Sequence, residues 1–458
     1  MLIIANKKSG ISINTKSLGA RISFSILAAL LAIPAIYQSY NIFRADRIAL
    51  SGETVSNYTR ALQYDPSNAQ LWWKRGRLYH YSVGKVELDL ALQDYQTALN
   101  LNPRIGQAWV DLADIYERIG KTAEAEAALG KAFEVQPYSP LIRWQAGNFF
   151  LRRGNLPKMY ECFKIACQYD VTKMRIAAEL AWKIDPDPRQ ILQKLVPDTL
   201  PANMDYLDCL VSKDELDLAF PVWQRCLKNE IPQDYAIKPS FAFNYIYHLL
   251  AKSRVNEALQ VWDGILRKTG SGLSVNRWKG ADAGQNLVWN GSFENEILQG
   301  GLDWRYRDLP ELKFQIDIEN RMAGLKSLRA DFGNANISGE NLYQIVPIMS
   351  PGDYVLDFYI KTKDLTTDQM PYLLIQGYPE PGCASAQSSF FPSTTSWIKL
   401  SLPFIAKEGC KAVRLSLMRN KSIKIDNRIN GSLWLDEIAI LSQALSQPGK
   451  KPEPENVH

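Results

Sequence analysis

The chain has 458 residues, more than one hydrophobic core usually serves, so two or more domains are expected. Hydrophobic residues make up 46% and charged ones 22%, a globular balance that excludes a wholly disordered chain. The formal net charge is only +5 and no dense Lys/Arg tract occurs, so nucleic acid is not an expected partner.

The N-terminus sets the expected compartment. Lys7, Lys8, Lys16 and Arg21 precede an apolar run from Ile22 to Tyr37, with no acidic residue before it. Helix continuing through Asn41, Ile42 and Phe43 would bring the run to about 20 residues, enough to span a bilayer. The basic flank predicts a cytoplasmic segment (1–21), a signal anchor (22–43) and a translocated remainder. The expected location is therefore the inner membrane, single-pass, with the bulk periplasmic. A cleaved signal peptide competes with this reading, although Ile-Tyr-Gln-Ser-Tyr after Ala35 offers no small-x-small cleavage site. A buried soluble helix is the third alternative.

Helical periodicity follows. In the stretch 106–139, Trp109, Leu112, Ala113 and Tyr116 fall on one helix face, and Ala125, Leu129 and Ala132 repeat the pattern before Pro137. Neighbouring stretches carry the same spacing. Tyr58, Ala61 and Pro66 match a second helix, preceded by an irregular first helix around Phe43 to Leu50. Trp72, Gly76 and Tyr79, then Ala91, Tyr95, Ala98 and Pro103, make a full copy. Trp72 and Trp109 lie 37 residues apart (109 − 72), which predicts an insertion in the turn around Gly84 to Asp89. A last copy, from about Pro140 to Val171, has Gly147, Phe150, Gly154, Phe163 and Ala166, but valine where proline is expected, so the array should end or bend there. The pattern resembles the tetratricopeptide repeat, a 34-residue helical hairpin that needs neighbouring copies to bury its apolar face. The array is assigned to 44–171. The stretch 172–269 keeps a helical pattern without the signature, broken by Pro186, Pro188, Pro197 and Pro201, and is read as a degenerate extension or cap.

A linker by composition spans 270–285. Beyond it the period becomes two, in Asp353–Ile360, Trp397–Leu402, Ala412–Leu417 and Ser432–Ile438, which predicts an antiparallel β-sandwich. The tail, 442–458, is polar and is expected to be disordered. The fold class is thus multidomain: a transmembrane helix, an α-solenoid and a C-terminal sandwich. Of six cysteines, Cys162, Cys167, Cys209 and Cys226 fall on helical stretches and are expected as buried thiols, whereas Cys383 and Cys410 in loop-like stretches are the expected disulfide.

The segment 286–441 resembles the carbohydrate-binding-module jelly rolls of the galactose-binding-domain-like sandwiches. The resemblance rests on Asn286–Glu294 as a first strand, the motif 301–304, Tyr343–Ile348 with Pro351–Lys361 as a central strand pair, Ser396–Trp397, and the closing strand 431–438. It implies sugar stacking on aromatic faces, with Trp304, Tyr306, Tyr343, Tyr372 and Tyr378 as candidates and Gln344 and Gln376 as polar partners. Trp397 and Trp434 are expected in the core. It also implies a structural calcium at Glu294 and Asp436. The repeat resemblance in turn implies a groove for a protein partner, lined by Trp73, Arg77, Tyr81, Val110, Asp114, Arg118, Trp144, Asn148 and Arg152. Its three arginines would suit an acidic or carboxylate-bearing segment.

No phosphate-cradling loop, Gly-x-Ser-x-Gly elbow or His-Glu-x-x-His occurs, and with His80 on a repeat helix and His248 expected in a helical core, no catalytic residues are assigned. The preferred expectation is a non-catalytic, membrane-anchored envelope scaffold, with a protein partner in the groove and polysaccharide on the sandwich, serving surface polysaccharide assembly or export. The alternative is an interaction subunit that binds no sugar. A glycan-processing enzyme, the third class, would need two close carboxylates in a cleft.

Overall fold

The computed structural model describes residues 18–82, 86–230, 238–268 and 285–443. Two compact units divide between Asp170 and Val171, where the expected proline is missing.

The first unit is a row of helical hairpins: α1 (Leu18–Leu50), α2 (Val55–Tyr64), α3 (Ala69–His80), α4 (Leu88–Leu101), α5 (Gly106–Arg118), α6 (Thr122–Val135), α7 (Pro140–Arg152) and α8 (Leu156–Tyr169). Local chemistry starts several of them. Thr54, Asn68, Ser139 and Asn155 each accept a backbone N–H at the N-cap of α2, α3, α7 and α8. The connection from α3 to α4 is longer than the one from α5 to α6, in agreement with the expected insertion; residues 83–85 within it lie outside the described residues.

One pair of slots sets how closely each hairpin closes. A Cβ on Gly76 would come within 2.8 Å of the Tyr95 ring, and one on Gly147 within 2.4 Å of Phe163. The middle repeat carries Ala113 and Leu129 in the corresponding slots. A ring on the second helix is therefore matched by glycine on the first, and a smaller leucine by alanine.

α1 does two jobs. Its N-terminal part exposes Ile22, Phe24, Ile26, Leu27, Leu30 and Leu31, and the helix is long and apolar enough to cross a membrane. Its last turns are the first helix of the first hairpin, where Ala45 is fully buried with Tyr58, Ala61 and Leu62 of α2. The backbone stays helical through Pro34, so the apolar segment and the first repeat are one continuous element.

The second unit begins with α9 (Met174–Ile184), α10 (Pro188–Lys194), α11 (Leu200–Ser212), α12 (Leu216–Lys228), α13 (Phe243–Ala251) and α14 (Val255–Lys268). Pro188 and Pro201 open α10 and α11, where the missing N–H has no helical partner to lose. Ten strands follow: β1 (Arg305–Tyr306), β2 (Leu312–Asp317), β3 (Ser327–Ala335), β4 (Gly339–Pro347), β5 (Gly352–Thr366), β6 (Tyr372–Tyr378), β7 (Ser385–Gln387), β8 (Thr395–Ala406), β9 (Ala412–Arg419) and β10 (Ile429–Ser442). They form two antiparallel sheets, β1-β4-β9-β6-β7 and β2-β3-β10-β5-β8. The core between them takes the alternate residues Leu342 and Val346, Leu356, Phe358 and Ile360, Val413, Leu415 and Leu417, and Leu433 and Leu435.

Several expectations change here. Asn286–Glu294 is not a strand: Asn290 and Phe293 have positive φ, and the Asn290 side chain closes the turn onto Asn295 in both directions. The segment is still pinned to β10, by Leu287 N–H donating to Ile440 and Ile438 N–H donating to Gly291. β4 and β5 lie in different sheets and do not pair. Trp397 is half-buried and Trp434 is buried, but neither belongs to the sandwich core. Trp434 lies on the outside of its sheet, in register with Arg329 and Lys361, whose cations stack 5.2 and 5.3 Å from its ring. Cys383 and Cys410 form a disulfide, and Cys162, Cys167, Cys209 and Cys226 are buried thiols outside any disulfide. The expected linker, apart from Gln285, and the tail beyond Gln443 lie outside the described residues.

Within the second unit the helical stretch packs directly on the sandwich. Trp262 of α14 meets Trp289 edge-on at 5.6 Å. The Tyr247 hydroxyl of α13 accepts from Gly301 N–H at 2.8 Å. Gly300 and Gly301 make this approach possible, since a Cβ on either would fall within 2.4 Å of the Phe243 or Trp262 ring.

Candidate functional site

The repeat groove is built from the first helices of successive hairpins. Tyr81, Val110, Asp114, Trp144, Asn148 and Arg152 line one cavity of about 260 Å³, so six of the nine expected groove residues share a wall. Trp73 and Arg77 sit beside it around Asp111, which is 1% exposed. The Asp111 carboxylate accepts from Trp73 Nε1 at 2.8 Å and Tyr81 Oη at 3.2 Å, and stands 3.6 Å from Arg77. Burial pushes its pKa up, and those donors pull the other way.

The basic groove that three arginines suggested does not form. Arg77 faces Asp111, Arg118 pairs with Asp114 at 3.0 Å, and Arg152 pairs with Glu117 at 2.6 Å. Asp114 also lies 3.0 Å from His80 Nε2; burial raises its pKa, but hydrogen bonds from His80 and Arg118 outweigh that and hold it below the usual carboxylate range. Sequence reading missed Asp111, Glu117 and His80. The signal was available, because Asp111, Asp114 and Glu117 recur every three residues along α5. His248 is not core either: it is half-buried, with Nδ1 2.9 Å from the Asn244 carbonyl.

On the sandwich, the expected sugar residues separate by strand parity. Register places Tyr343 of β4, Arg414 and Ser416 of β9, and Tyr372, Gln376 and Tyr378 of β6 on the outer face of one sheet. Trp304, Gln344 and Tyr306 are not on it. Trp304 is fully buried, with its indole N–H donating to the Asn290 carbonyl. Gln344 points inward, and its amide grips both the N–H and the carbonyl of Trp289. Tyr306 lies opposite the core residue Leu342 and packs on Phe314. Tyr372 is on the face but 95% covered, its hydroxyl bound to Asn420 at 3.0 Å.

What remains on the face is an alternation of rings and cations. The Arg305 guanidinium lies 3.7 Å from the centre of the Tyr247 ring and 5.2 Å from that of Tyr343. The Arg414 guanidinium lies 4.7 Å from Tyr343 and 5.5 Å from Tyr378. Each contact is in cation–π range. Tyr247–Arg305–Tyr343–Arg414–Tyr378 is thus a ladder crossing the face diagonally, its first rung supplied by α13. Glu340 accepts from Ser416 Oγ at 2.5 Å and stands 3.3 Å from Arg414 Nη1, and Gln376 is exposed beside it.

Glu294 and Asp436 converge on one loop but do not fit a calcium ion. Asp436 is fully buried and accepts from the N–H groups of Met322, Ala323 and Glu437. Glu294 Oε1 accepts from those of Leu325 and Lys326, and the Lys326 ammonium donates to the Glu294 carbonyl at 2.7 Å. Calcium requires six to eight oxygens, whereas these carboxylates accept from backbone N–H donors and the Glu294 carbonyl accepts from an ammonium. They clamp the loop instead. Burial lifts Asp436 to about 6 in spite of its backbone donors. Among the described residues no cluster of three or more His, Cys, Asp or Glu could hold a metal ion.

A tetratricopeptide-repeat family model matches residues 106–139. No curated protein sequence matches the chain. Among solved structures, the chain is similar to MamA at 16% identity, over 38% of this chain and 85% of that one, with a TM-score of 0.24. It is similar to a family 16 carbohydrate-binding module at 16% identity, over 34% and 100%, TM-score 0.25. A CBM22-1 xylan-binding domain from Paenibacillus barcinonensis Xyn10C matches at 18% identity, over 36% and 97%, TM-score 0.24. The chain therefore combines a helical repeat region containing a tetratricopeptide repeat, an antiparallel β-sandwich, and one N-terminal helix apolar enough to span a membrane.

Proposed function

We propose that the protein is a non-catalytic scaffold, anchored in the inner membrane by α1, that holds a protein segment in the repeat groove and polysaccharide on the sandwich face. Its place would be the extracytoplasmic side of the envelope, in surface polysaccharide assembly or export. The observation that carries the reading is the outer sheet face, where the half-buried rings of Tyr343 and Tyr378 stand beside Gln376 and two arginines. Rings offer flat apolar area to a sugar, and the amide and guanidinium groups reach its oxygens. For the groove, the internal pairing of its arginines favours a segment of mixed polarity over an acidic one. Trp144, Gln145 and Asn148 in the cavity wall supply apolar area and amide hydrogen bonds to extended backbone.

The test is equilibrium binding of the full chain, in detergent or lipid nanodiscs, to a polysaccharide panel. Tyr343→Ala and Tyr378→Ala should each weaken binding about tenfold, equivalent to ~1.4 kcal/mol. If wild-type protein binds no member of the panel, the glycan half of the proposal is lost.

A further inference from the structure

Two cation–aromatic stacks lie on the sandwich, one on each sheet, and they differ in how their charges are met. Around Trp434 the two cations, Arg329 and Lys361, are matched in number by two carboxylates, Asp331 and Asp317, both within 4.0 Å of Arg329. Arg329 pairs with Asp331 at 2.8 Å, Lys361 donates to Asn320 at 2.7 Å, and the Trp434 indole donates to Asp317 at 2.7 Å. This stack needs nothing from outside.

The Tyr247–Tyr378 ladder is not balanced. Arg305 donates to the Tyr343 hydroxyl at 3.0 Å and the Gly301 carbonyl at 3.3 Å, and no carboxylate among the described residues lies within ion-pair distance. Arg414 shares Glu340 with the Ser416 hydroxyl, and its Nε is buried with no hydrogen-bond partner. A guanidinium has five donors and no acceptor. The face thus presents two positive charges and one already engaged carboxylate. Ring contacts on Tyr247, Tyr343 and Tyr378 hold both cations in place, so little side-chain freedom is left to lose on binding.

We propose that this ladder selects a saccharide bearing an anionic group, a uronate carboxylate or a sulfate ester, held by Arg305 and Arg414 where both lie over Tyr343. The inference rests on the glycan reading of the face and specifies its chemistry. Sugar hydroxyls could also accept from the arginines, but charge-assisted hydrogen bonds are about twice as strong as neutral ones. Tyr247 makes the site composite, since the helical stretch supplies one end and the sheet the rest.

The experiment measures binding of the full chain to polygalacturonate, dextran sulfate, and neutral dextran and xylan at a fixed ionic strength. At least one anionic polymer should bind tenfold or more tighter than the neutral ones, and the better of the two identifies carboxylate or sulfate as the group held. Arg414→Gln should weaken binding of the anionic polymer far more than that of the neutral ones, removing most of that preference while leaving the thermal unfolding midpoint in place. Arg305→Gln is the second variant, should the first unfold. Lys313→Gln, an exposed change on the opposite sheet, should alter nothing. Equal affinity for neutral and anionic polymers overturns the inference and leaves the glycan reading standing. So does a preference that Arg414→Gln preserves, or that Lys313→Gln reduces equally, because bulk charge attraction then explains it. Failure to bind any glycan removes both.

Discussion

The pairing of Gly147 with Phe163 makes a sharp quantitative test of how the groove is held. In Gly147→Ala the new Cβ would lie 2.4 Å from two carbons of the Phe163 ring, which is fully buried and has no open side to move into. Overpacking of this kind costs ~1–3 kcal/mol, against a gain of about 1 kcal/mol from replacing glycine by alanine inside a helix. The net expectation is a loss of up to about 2 kcal/mol. The ring displaced is the one that packs against Trp144 at 4.7 Å, so the groove wall moves with it. In a Phe163→Leu background the same change recreates the Ala113/Leu129 pair of the middle repeat, and the clash is gone. There Gly147→Ala should stabilise by about 1 kcal/mol. The double-mutant cycle then gives a coupling of about 1–3 kcal/mol. Hydrogen exchange read on peptides from α7 and α8 reports the local opening free energy without requiring the whole chain to unfold in one step. An equal effect of Gly147→Ala in both backgrounds would refute the size-matching argument.

Three further outcomes follow from the second unit. Burial lifts Asp436 to about 6 and Asp303 to about 7, so the folded sandwich keeps protons that the unfolded chain releases near pH 4. Its stability should therefore fall as pH rises from about 4 to 7, and Asp303→Asn should flatten the slope. Urea midpoints at pH 5 and 8 decide this, and a higher midpoint at pH 8 counts against it. Asp317, held at about 2 by the Asn320 and Trp434 N–H groups against the effect of burial, acts in the opposite sense, its contribution being lost only as pH falls from about 4 to 2. Breaking the Cys383–Cys410 bond, which closes a 27-residue separation, should cost about 3.5 kcal/mol by chain entropy, read as a lower unfolding midpoint in reductant. Gly301→Ala combines positive φ with a Cβ 2.3 Å from Trp262, and should accelerate hydrogen exchange in α13 and α14; unchanged exchange would mean that these helices do not depend on the sandwich.

Element types were legible where one periodicity ran long enough. The repeat slots were visible because glycine and alanine recur opposite bulky partners, and β5, β8, β9 and β10 because their residues alternate. β2 and β3 were missed. Each is short or charged, and Leu312–Asp317 alternates only as far as Phe314 before Gln315 and Ile316 are both exposed. The site residues failed on parity rather than on chemistry. Tyr343 and Gln344 are adjacent on one strand, so they cannot share a face. The same rule would have found Arg414, since Val413, Leu415 and Leu417 must point inward. Trp304 sits after a turn whose direction no periodicity encodes, and its burial depends on the fold of 286–303. In the groove the acidic row of α5 was legible but one of its pairings was not, because Arg152 and Glu117 meet across two repeats, 35 residues apart.

The helical stretch 174–268 shares its packing with the sandwich. Trp262 meets Trp289, the Tyr247 hydroxyl binds Gly301, and the Tyr247 ring stacks on Arg305. Those contacts fix the orientation of an arginine that the sandwich alone would leave half-supported, because β1 is only two residues long and Tyr343 would be its single aromatic neighbour. A two-residue edge strand holds a side chain poorly, and a second ring at 3.7 Å supplies what the strand lacks. The helices therefore pack with the sandwich in one compact unit, whose boundary falls at Asp170 and not at the compositional linker beyond α14.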